Sequence, residues 1–271
     1  MKKAGVDLGS SLTKVAFRNS EGAWVFLSTA DYSLEFIAEE LTKNGITELN
    51  VCGINKLPEN FTSFKIIRPS GNLIDNEIKF QAIGAHELLR LDGCAKKDFL
   101  LVSIGTGTSY TFVSGAVATR FPIGNSLGGG FLRGVALYMN IGADLLSLDP
   151  CFASDQESLD LLVKDLITET KGTPIGELVV ANFGKIDYSN IPSLKAKQKA
   201  LINVVATAIS RDIIILNMLR GLASEIVIVG SVVQKCLMIR EMLASNCKQH
   251  LGITPIFPEN SAFALAVGCL C

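Results

Sequence analysis

The chain has 271 residues, of which 48% are hydrophobic and 19% charged, which is enough apolar material for two packed lobes and excludes a disordered chain. Its 25 Lys and Arg against 26 Asp and Glu leave a formal charge of −1, with no basic block to bind nucleic acid or an anionic membrane, so the expected partner is a small molecule. Seven scattered cysteines without the paired spacing of a zinc site, no membrane-spanning run, and an apolar stretch after Met1-Lys2-Lys3 too short for a signal peptide give the expectation of a cytoplasmic protein with reduced thiols.

The first element is an apolar run, Gly5-Val6-Asp7-Leu8, that ends beside an acid, turns through Gly9-Ser10-Ser11, and resumes as an alternating strand at Thr13-Lys14-Val15-Ala16-Phe17. Asn19 to Gly22 is a second turn and Ala23 to Ser28 a third strand, completing a three-stranded antiparallel ribbon. An N-capping Ser33 opens a helix that Gly45 closes, and Leu49 to Ile54 reads as a short buried strand. A loop with one strand near Ser63–Ile67 leads to an apolar stripe at helical spacing from Asn72 to Leu91, with Glu77 early on that helix.

The plan then repeats. Phe99 to Ile104 is a strand, Gly105-Thr106-Gly107-Thr108 a turn of small residues, and Ser109 to Val113 the return strand, followed by a strand from Gly115 to Thr119 and by Arg120. Gly128-Gly129-Gly130 precedes a helix, where unpaired N–H groups and the dipole would favour an anion. Helices are expected at Ser158–Thr168, Gly176–Phe183 and Lys195–Leu222. A buried strand from Glu225 ends at Gly230-Ser231, and the chain closes with a helix (Cys236 to Ala244), a strand (Thr254 to Phe257) and a helix (Ser261 to Leu270). Small turn residues let backbone N–H groups and hydroxyls approach phosphate closely, and two such hairpins describe a nucleotide clamp.

A duplicated strand-turn-strand with an acid in its first copy resembles the sugar kinase, actin and heat-shock chaperone superfamily. Within it, Glu77-Ile-Lys-Phe-Gln-Ala-Ile-Gly84, Ser103-Ile-Gly-Thr-Gly-Thr-Ser109, Ser126-Leu-Gly-Gly-Gly130, Leu161-Leu-Val-Lys-Asp-Leu166, Ala181-Asn-Phe-Gly184 and Glu259-Asn-Ser-Ala-Phe263 resemble, in order, the motifs of type II pantothenate kinases. The resemblance implies an α/β protein of two ribonuclease-H-like lobes, the actin-like ATPase fold, with a ligand cleft between them. The smaller lobe would be residues 1–95, carrying the first hairpin and the Glu77 helix, and the larger lobe residues 96–271, carrying the second hairpin, the Gly-rich loop and the adenosine-side strand end. It implies ATP and Mg²⁺, pantothenate as acceptor, and a homodimer with the long helix near its interface.

On those expectations Asp7 either caps its turn or holds Mg²⁺ partly through water, and Lys14 is either a solvated strand residue or a phosphate ligand. Gly9, Ser10, Ser11, Gly105, Thr106, Gly107, Thr108, Ser109, Gly128, Gly129, Gly130, Gly230 and Ser231 would line the nucleotide. By resemblance Glu77 is the base that takes the acceptor's hydroxyl proton, and Arg120 contacts the acceptor or the transferring phosphate. Two departures from the family pattern stand out: Ser10-Ser11 replaces Gly-Gly-Thr, and one extra residue separates Arg120 from the triple Gly. The rival readings are a kinase for an N-acetylated amino sugar and a silent nucleotide-binding regulator.

Overall fold

The computed structural model describes residues 2–142, 158–187, 189, 191–220 and 225–271. Its first sheet contains β1 (Lys2–Leu8), β2 (Thr13–Arg18), β3 (Trp24–Ser28), β4 (Ile46–Gly53) and β5 (Lys65–Ile67), in the order β3-β2-β1-β4-β5. The ribbon pairs are antiparallel, while β1–β4 and β4–β5 are parallel. The parallel step needs a crossover, which is the helix α1 (Leu34–Lys43). Ser33 caps it as expected, its Oγ accepting from the Phe36 N–H at 3.2 Å.

The second sheet contains β6 (Asp98–Ile104), β7 (Thr108–Ser114), β8 (Val117–Arg120) and β11 (Ile226–Val229), in the order β11-β6-β7-β8. It repeats the first plan, an antiparallel ribbon with a parallel strand added beside its first member. A glycine in the left-handed region closes β4, Gly53 (φ +111°), and another directly follows β11, Gly230 (φ +118°); a Cβ on either would strike the backbone at the end of the neighbouring first strand, Leu8 and Ile104 respectively.

Strand periodicity of two sorts the side chains into layers. Val6, Leu8, Val15, Phe17, Leu49 and Val51 pack outward with Ile37 and Leu41 of α1. Leu100, Val102, Ile104, Ile226 and Ile228 pack outward with α3 (Gly129–Tyr138) and with residues of two helices described below. The opposite faces of both sheets, among them Ala16, Phe99, Leu101, Val113, Val227 and Val229, meet α2 (Leu73–Leu91) and the C-terminal helix in a middle layer.

After α3 the chain differs from expectation. The helix expected at 158–168 is instead the two-residue strand β9 (Leu161–Leu162) and a single turn α4 (Val163–Leu166), and the one expected at 176–183 contains the strand β10 (Val179–Ala181) that pairs with β9. The buried Asp160 accounts for this: its carboxylate accepts from the Phe183 N–H at 2.9 Å and from the Asn182 and Asn203 side-chain amides, so tertiary partners override local helix spacing.

The long helix α5 runs Leu194–Arg220, and its expected end at Leu222 falls outside the described residues. By length and composition it could cross a membrane, but its Ile202, Val205, Ile209 and Ile213 are core. Next come α6 (Ser231–Lys235), α7 (Leu237–Leu251), a 3-10 turn at Ser261–Phe263 and α8 (Ala264–Gly268). The expected strand at 254–257 is reduced to Ile256 bridging Val227, a place filled by one pair of hydrogen bonds to Ile226 and Ile228.

The short helix α8 fixes the middle layer. Its backbone lies so close to both partners that a Cβ on Gly5 of β1 would overlap the carbonyl of Ala266, one on Gly84 of α2 the carbonyl of Ala264, and one on Gly268 the carbonyl of Phe80. The Asn50 side-chain amide donates to the Cys269 carbonyl at 2.8 Å, fastening the end of this helix to β4.

Candidate active site

Where the inner faces of the two sheets meet beyond the end of α2, the protein forms a cavity of about 810 Å³. Both small-residue turns line it. The Ser10 and Ser11 hydroxyls lie 2.7 and 2.9 Å from the Thr106 hydroxyl, so the turns after β1 and β6 face each other and touch. Asn55 adds a fastening, its side-chain amide donating to the Gly9 carbonyl at 2.6 Å.

The register of β1 and β2 places Asp7 opposite Lys14, and an ion pair of 3.0 Å joins Lys14 Nζ to Asp7 Oδ2. That settles the direction of the lysine: it points inward with the acid. Both side chains are nearly buried and both line the cavity. Among the described residues no group of three His, Cys, Asp or Glu is arranged to hold a metal. A divalent ion here would take Asp7 and otherwise water and phosphate oxygens, which suits Mg²⁺, an ion that keeps much of its hydration shell.

On the other wall, register gathers Ser103 of β6, Ser109 and Thr111 of β7 and Arg120 of β8 on one sheet face: Ser103 pairs with Ser109 and Thr111 with Arg120. This face looks toward α2. Glu77 sits there one turn before Gln81, and both line the cavity with Ser103, Ser109 and Arg120. Burial pushes the Glu77 carboxyl above the usual carboxylate range, and the like charge of Asp7 adds to it, while Arg120 first and Lys14 second oppose the shift. A half-buried carboxylate held among these charges is of a type that can accept a proton from a bound alcohol.

The Gly-rich loop, expected to offer its N–H groups to an anion, uses two of them within the protein. The Gly129 N–H donates to the Gly105 carbonyl at 2.8 Å and the Gly130 N–H to the Thr106 carbonyl at 2.9 Å; these donors are spent on the second hairpin. Side chains are excluded by the same approach, since a Cβ on Gly128 would lie 2.8 Å from the Thr106 oxygen and one on Gly130 3.0 Å from it. Thr108 is likewise committed, its buried hydroxyl donating to the Leu127 carbonyl at 2.8 Å. The loop therefore braces the hairpin. Gly129, Gly130 and Ser231 line the cavity, and Gly128 and Gly230 are not among its lining residues.

Asn125 completes the brace. It exchanges two backbone hydrogen bonds of 2.8 Å with Thr108, and its side-chain amide donates to Asp212 of α5 at 2.7 Å, the same oxygen that accepts from the Tyr110 hydroxyl at 2.8 Å. Burial, then Asp212, drive the Tyr110 hydroxyl far above its ordinary pKa, so it stays a donor.

The cavity brings together Asp7, Gly9, Ser10, Ser11, Lys14, Glu77, Gly105, Thr106, Gly107, Thr108, Ser109, Arg120, Gly129, Gly130 and Ser231. Sequence reasoning passed over Gly53, Gln81, Ser103, Asn125 and Arg133, which also line it. Gln81 and Ser103 were accessible to it: Gln81 is one helical turn from Glu77, and Ser103 shares strand parity with the hairpin.

The family described as Fumble matches residues 91–271. Over 276 residues the chain is 26% identical to the type II pantothenate kinase of Staphylococcus aureus, spanning 99% of this chain and 98% of that protein. Among solved structures, the activator of 2-hydroxyisocaproyl-CoA dehydratase from Clostridium difficile with bound ADPNP is similar over 99% of this chain and 92% of that one, at a TM-score of 0.60 and 13% identity. A ROK family glucokinase from Streptomyces griseus in complex with glucose and AMPPNP is similar over 99% and 98%, at 0.51 and 12%. These likenesses bear out the two-lobed α/β architecture expected from the sequence, the actin-like ATPase fold.

Proposed function

The chain belongs to the Fumble family, and from that membership and the chemistry of the cleft we propose that it is an ATP-dependent kinase that phosphorylates pantothenate to 4′-phosphopantothenate, the first step of coenzyme A synthesis. The observation that carries the reading is the convergence of two hydroxyl-bearing turns, a paired Asp7 and Lys14, and a half-buried Glu77 on one cavity. The name of the Staphylococcus aureus relative supports the acceptor, and the adenine nucleotide analogue bound to the Clostridium difficile neighbour supports the donor.

ATP supplies the phosphoryl group, and Mg²⁺, held in part by Asp7, would neutralise charge on its phosphates. The turns at Gly9 and Gly105 fit the phosphates, with the hydroxyls of Ser10, Ser11 and Thr106 exchanging their mutual hydrogen bonds for bonds to phosphate oxygens. Lys14 turns from Asp7 toward the same charge. Glu77 takes the proton of the acceptor hydroxyl at its carboxylate, and Arg120, across the sheet face from it, steadies the anionic side of the transfer. Positioning and charge neutralisation do most of the work in this chemistry, because phosphoryl transfer asks little covalent help from a protein.

The protein acts as a homodimer in this reading. Ile215, Met218 and Leu219 of α5, with Leu137 and Tyr138 of α3, are exposed apolar side chains that a second copy would cover. The six described cysteines are all free, in keeping with a cytoplasmic location. The test is transfer from ATP with Mg²⁺ to pantothenate, beside a panel of N-acetylated amino sugars. Transfer to sugars alone, or nucleotide binding without transfer, contradicts the proposal.

A further inference from the structure

Gln81 and Ser103 form a side-chain bridge that the reaction as described does not use. The Gln81 amide on α2 donates to the Ser103 hydroxyl on β6 at 2.8 Å, joining the middle-layer helix to the second sheet at the cavity wall. Gln81 lies one turn beyond Glu77 and on the same side of the helix. Ser103 pairs with Ser109 across the hairpin and shares the sheet face of Arg120. The bridge thus lines the same cavity as the proposed base and the proposed anion-steadying arginine.

Two polar side chains at a helix–sheet contact that are only half-buried and border open space are placed to meet a ligand. Among the described residues their mutual bond is the one each side chain makes. Gln81 therefore retains a carbonyl acceptor and a second N–H, and Ser103 retains its own O–H. A group in the cavity that both donates and accepts would complete them. Behind the bridge the inner-face residues are apolar, including Leu101, Ala82 and Ala85, so it marks the boundary between the packed middle layer and the polar lining formed with Glu77, Ser109 and Arg120.

We infer that Gln81 and Ser103 are specificity-determining residues that together bind the second polar group of the acceptor, the hydroxyl next to its amide, while Glu77 addresses the hydroxyl that is phosphorylated. This rests on the proposed function and deepens it. Pantothenate carries its secondary hydroxyl two carbons from the carbon bearing the reacting one, and side chains four residues apart on a helix are neighbours, so Glu77 and Gln81 can each address one of the two hydroxyls. An acceptor with a single alcohol would leave the bridge unfilled, and discrimination of this kind is strong when a site is built to hydrogen-bond a hydroxyl.

The experiment compares pantothenate with its analogue lacking the secondary hydroxyl, using wild type, Gln81→Leu, Ser103→Ala and Ser103→Thr. In wild type the analogue should show a KM at least about tenfold above that of pantothenate, the loss expected for a net hydrogen bond of this type. In Gln81→Leu and Ser103→Ala the KM for pantothenate should rise about tenfold toward that of the analogue, with kcat within about threefold and the KM for ATP unchanged. The analogue itself should scarcely notice either change, and Ser103→Thr, which restores a hydroxyl, should recover most of the discrimination. Equal losses with both acceptors, or a fall in kcat at constant KM, would mean that the bridge only holds α2 to the sheet and would overturn the inference. Wild type that phosphorylates neither acceptor would overturn the proposed function, and this inference with it.

Discussion

Replacing Gly84 by Ala tests whether the middle layer sets the position of Glu77. The added Cβ would overlap the Ala264 carbonyl oxygen and lie 2.6 Å from its carbon and 2.9 Å from the Gly268 nitrogen. Carbon atoms pack at about 3.5–4.0 Å, so α2 and α8 must move apart by about 1 Å or more, as whole helices, because the clashing atoms are helix backbone and have no side-chain freedom to give way. Overpacking of this kind costs about 1–3 kcal/mol, against about 1 kcal/mol gained in helix propensity. Glu77 lies seven residues before Gly84, about 10 Å along the same helix, and a shift near 1 Å at a reacting group costs about 10²-fold in rate. Urea unfolding should therefore give a lower midpoint at unchanged slope, and kcat/KM should fall by one to two orders of magnitude. Gly134→Ala is the control: nothing lies within 4 Å of its Cβ position, so it should stabilise by about 0.5–1 kcal/mol. A Gly84→Ala protein as stable and active as Gly134→Ala would refute the reasoning.

Further outcomes follow from the charges and hydrogen bonds of the cleft. On the proposed role of Glu77 as base its carboxyl must be ionised, and since that carboxyl is shifted upward, the acid limb of kcat/KM should lie above the ordinary carboxylate range, and Arg120→Gln, which removes the largest opposing charge, should move that limb to still higher pH. The same shift has a stability sign: with the folded pKa above the unfolded one, the ionised carboxylate costs stability, so Glu77→Gln should melt higher than wild type at neutral pH. That advantage should fade as the pH falls through the raised value and vanish below the unfolded one. Thr106→Val, which deletes the hydroxyl shared by Ser10 and Ser11, should raise the KM for ATP about tenfold while leaving the KM for pantothenate in place. Tyr110→Phe should cost about 1–2 kcal/mol in urea unfolding, since Asp212 loses one of the donors on its Oδ2 atom; an unchanged midpoint would show that Asn125 alone suffices.

The parts legible from sequence are those whose structure is decided locally. Small residues between alternating strands gave both hairpins, Ser33 and Asn72 marked the starts of α1 and α2, and the four-residue step from Asn72 to Asn76 already carries a helical hydrogen bond. The convergence of Asp7 with Lys14 needed only a register. What escaped reading depends on distant partners. The segment around Leu161 has helical spacing, yet Asp160 is drawn into a buried network with Asn182, Phe183 and Asn203. Gly128 to Gly130 are alike in sequence whether their N–H groups await an anion or brace a hairpin, and only the carbonyls of Gly105 and Thr106 distinguish the two. Gly5, Gly84 and Gly268 lie far apart in the chain, and nothing local in any of them announces the shared contact with one short helix.

The account turns on Glu77 as the group that takes the proton from the acceptor alcohol. Turnover of pantothenate and ATP by Glu77→Gln, measured beside nucleotide affinity, tests this most directly. The account predicts a loss of about 10²–10⁴-fold in kcat with nucleotide affinity within about threefold of wild type. A variant that keeps its turnover, or one that loses nucleotide binding to the same degree, would contradict it.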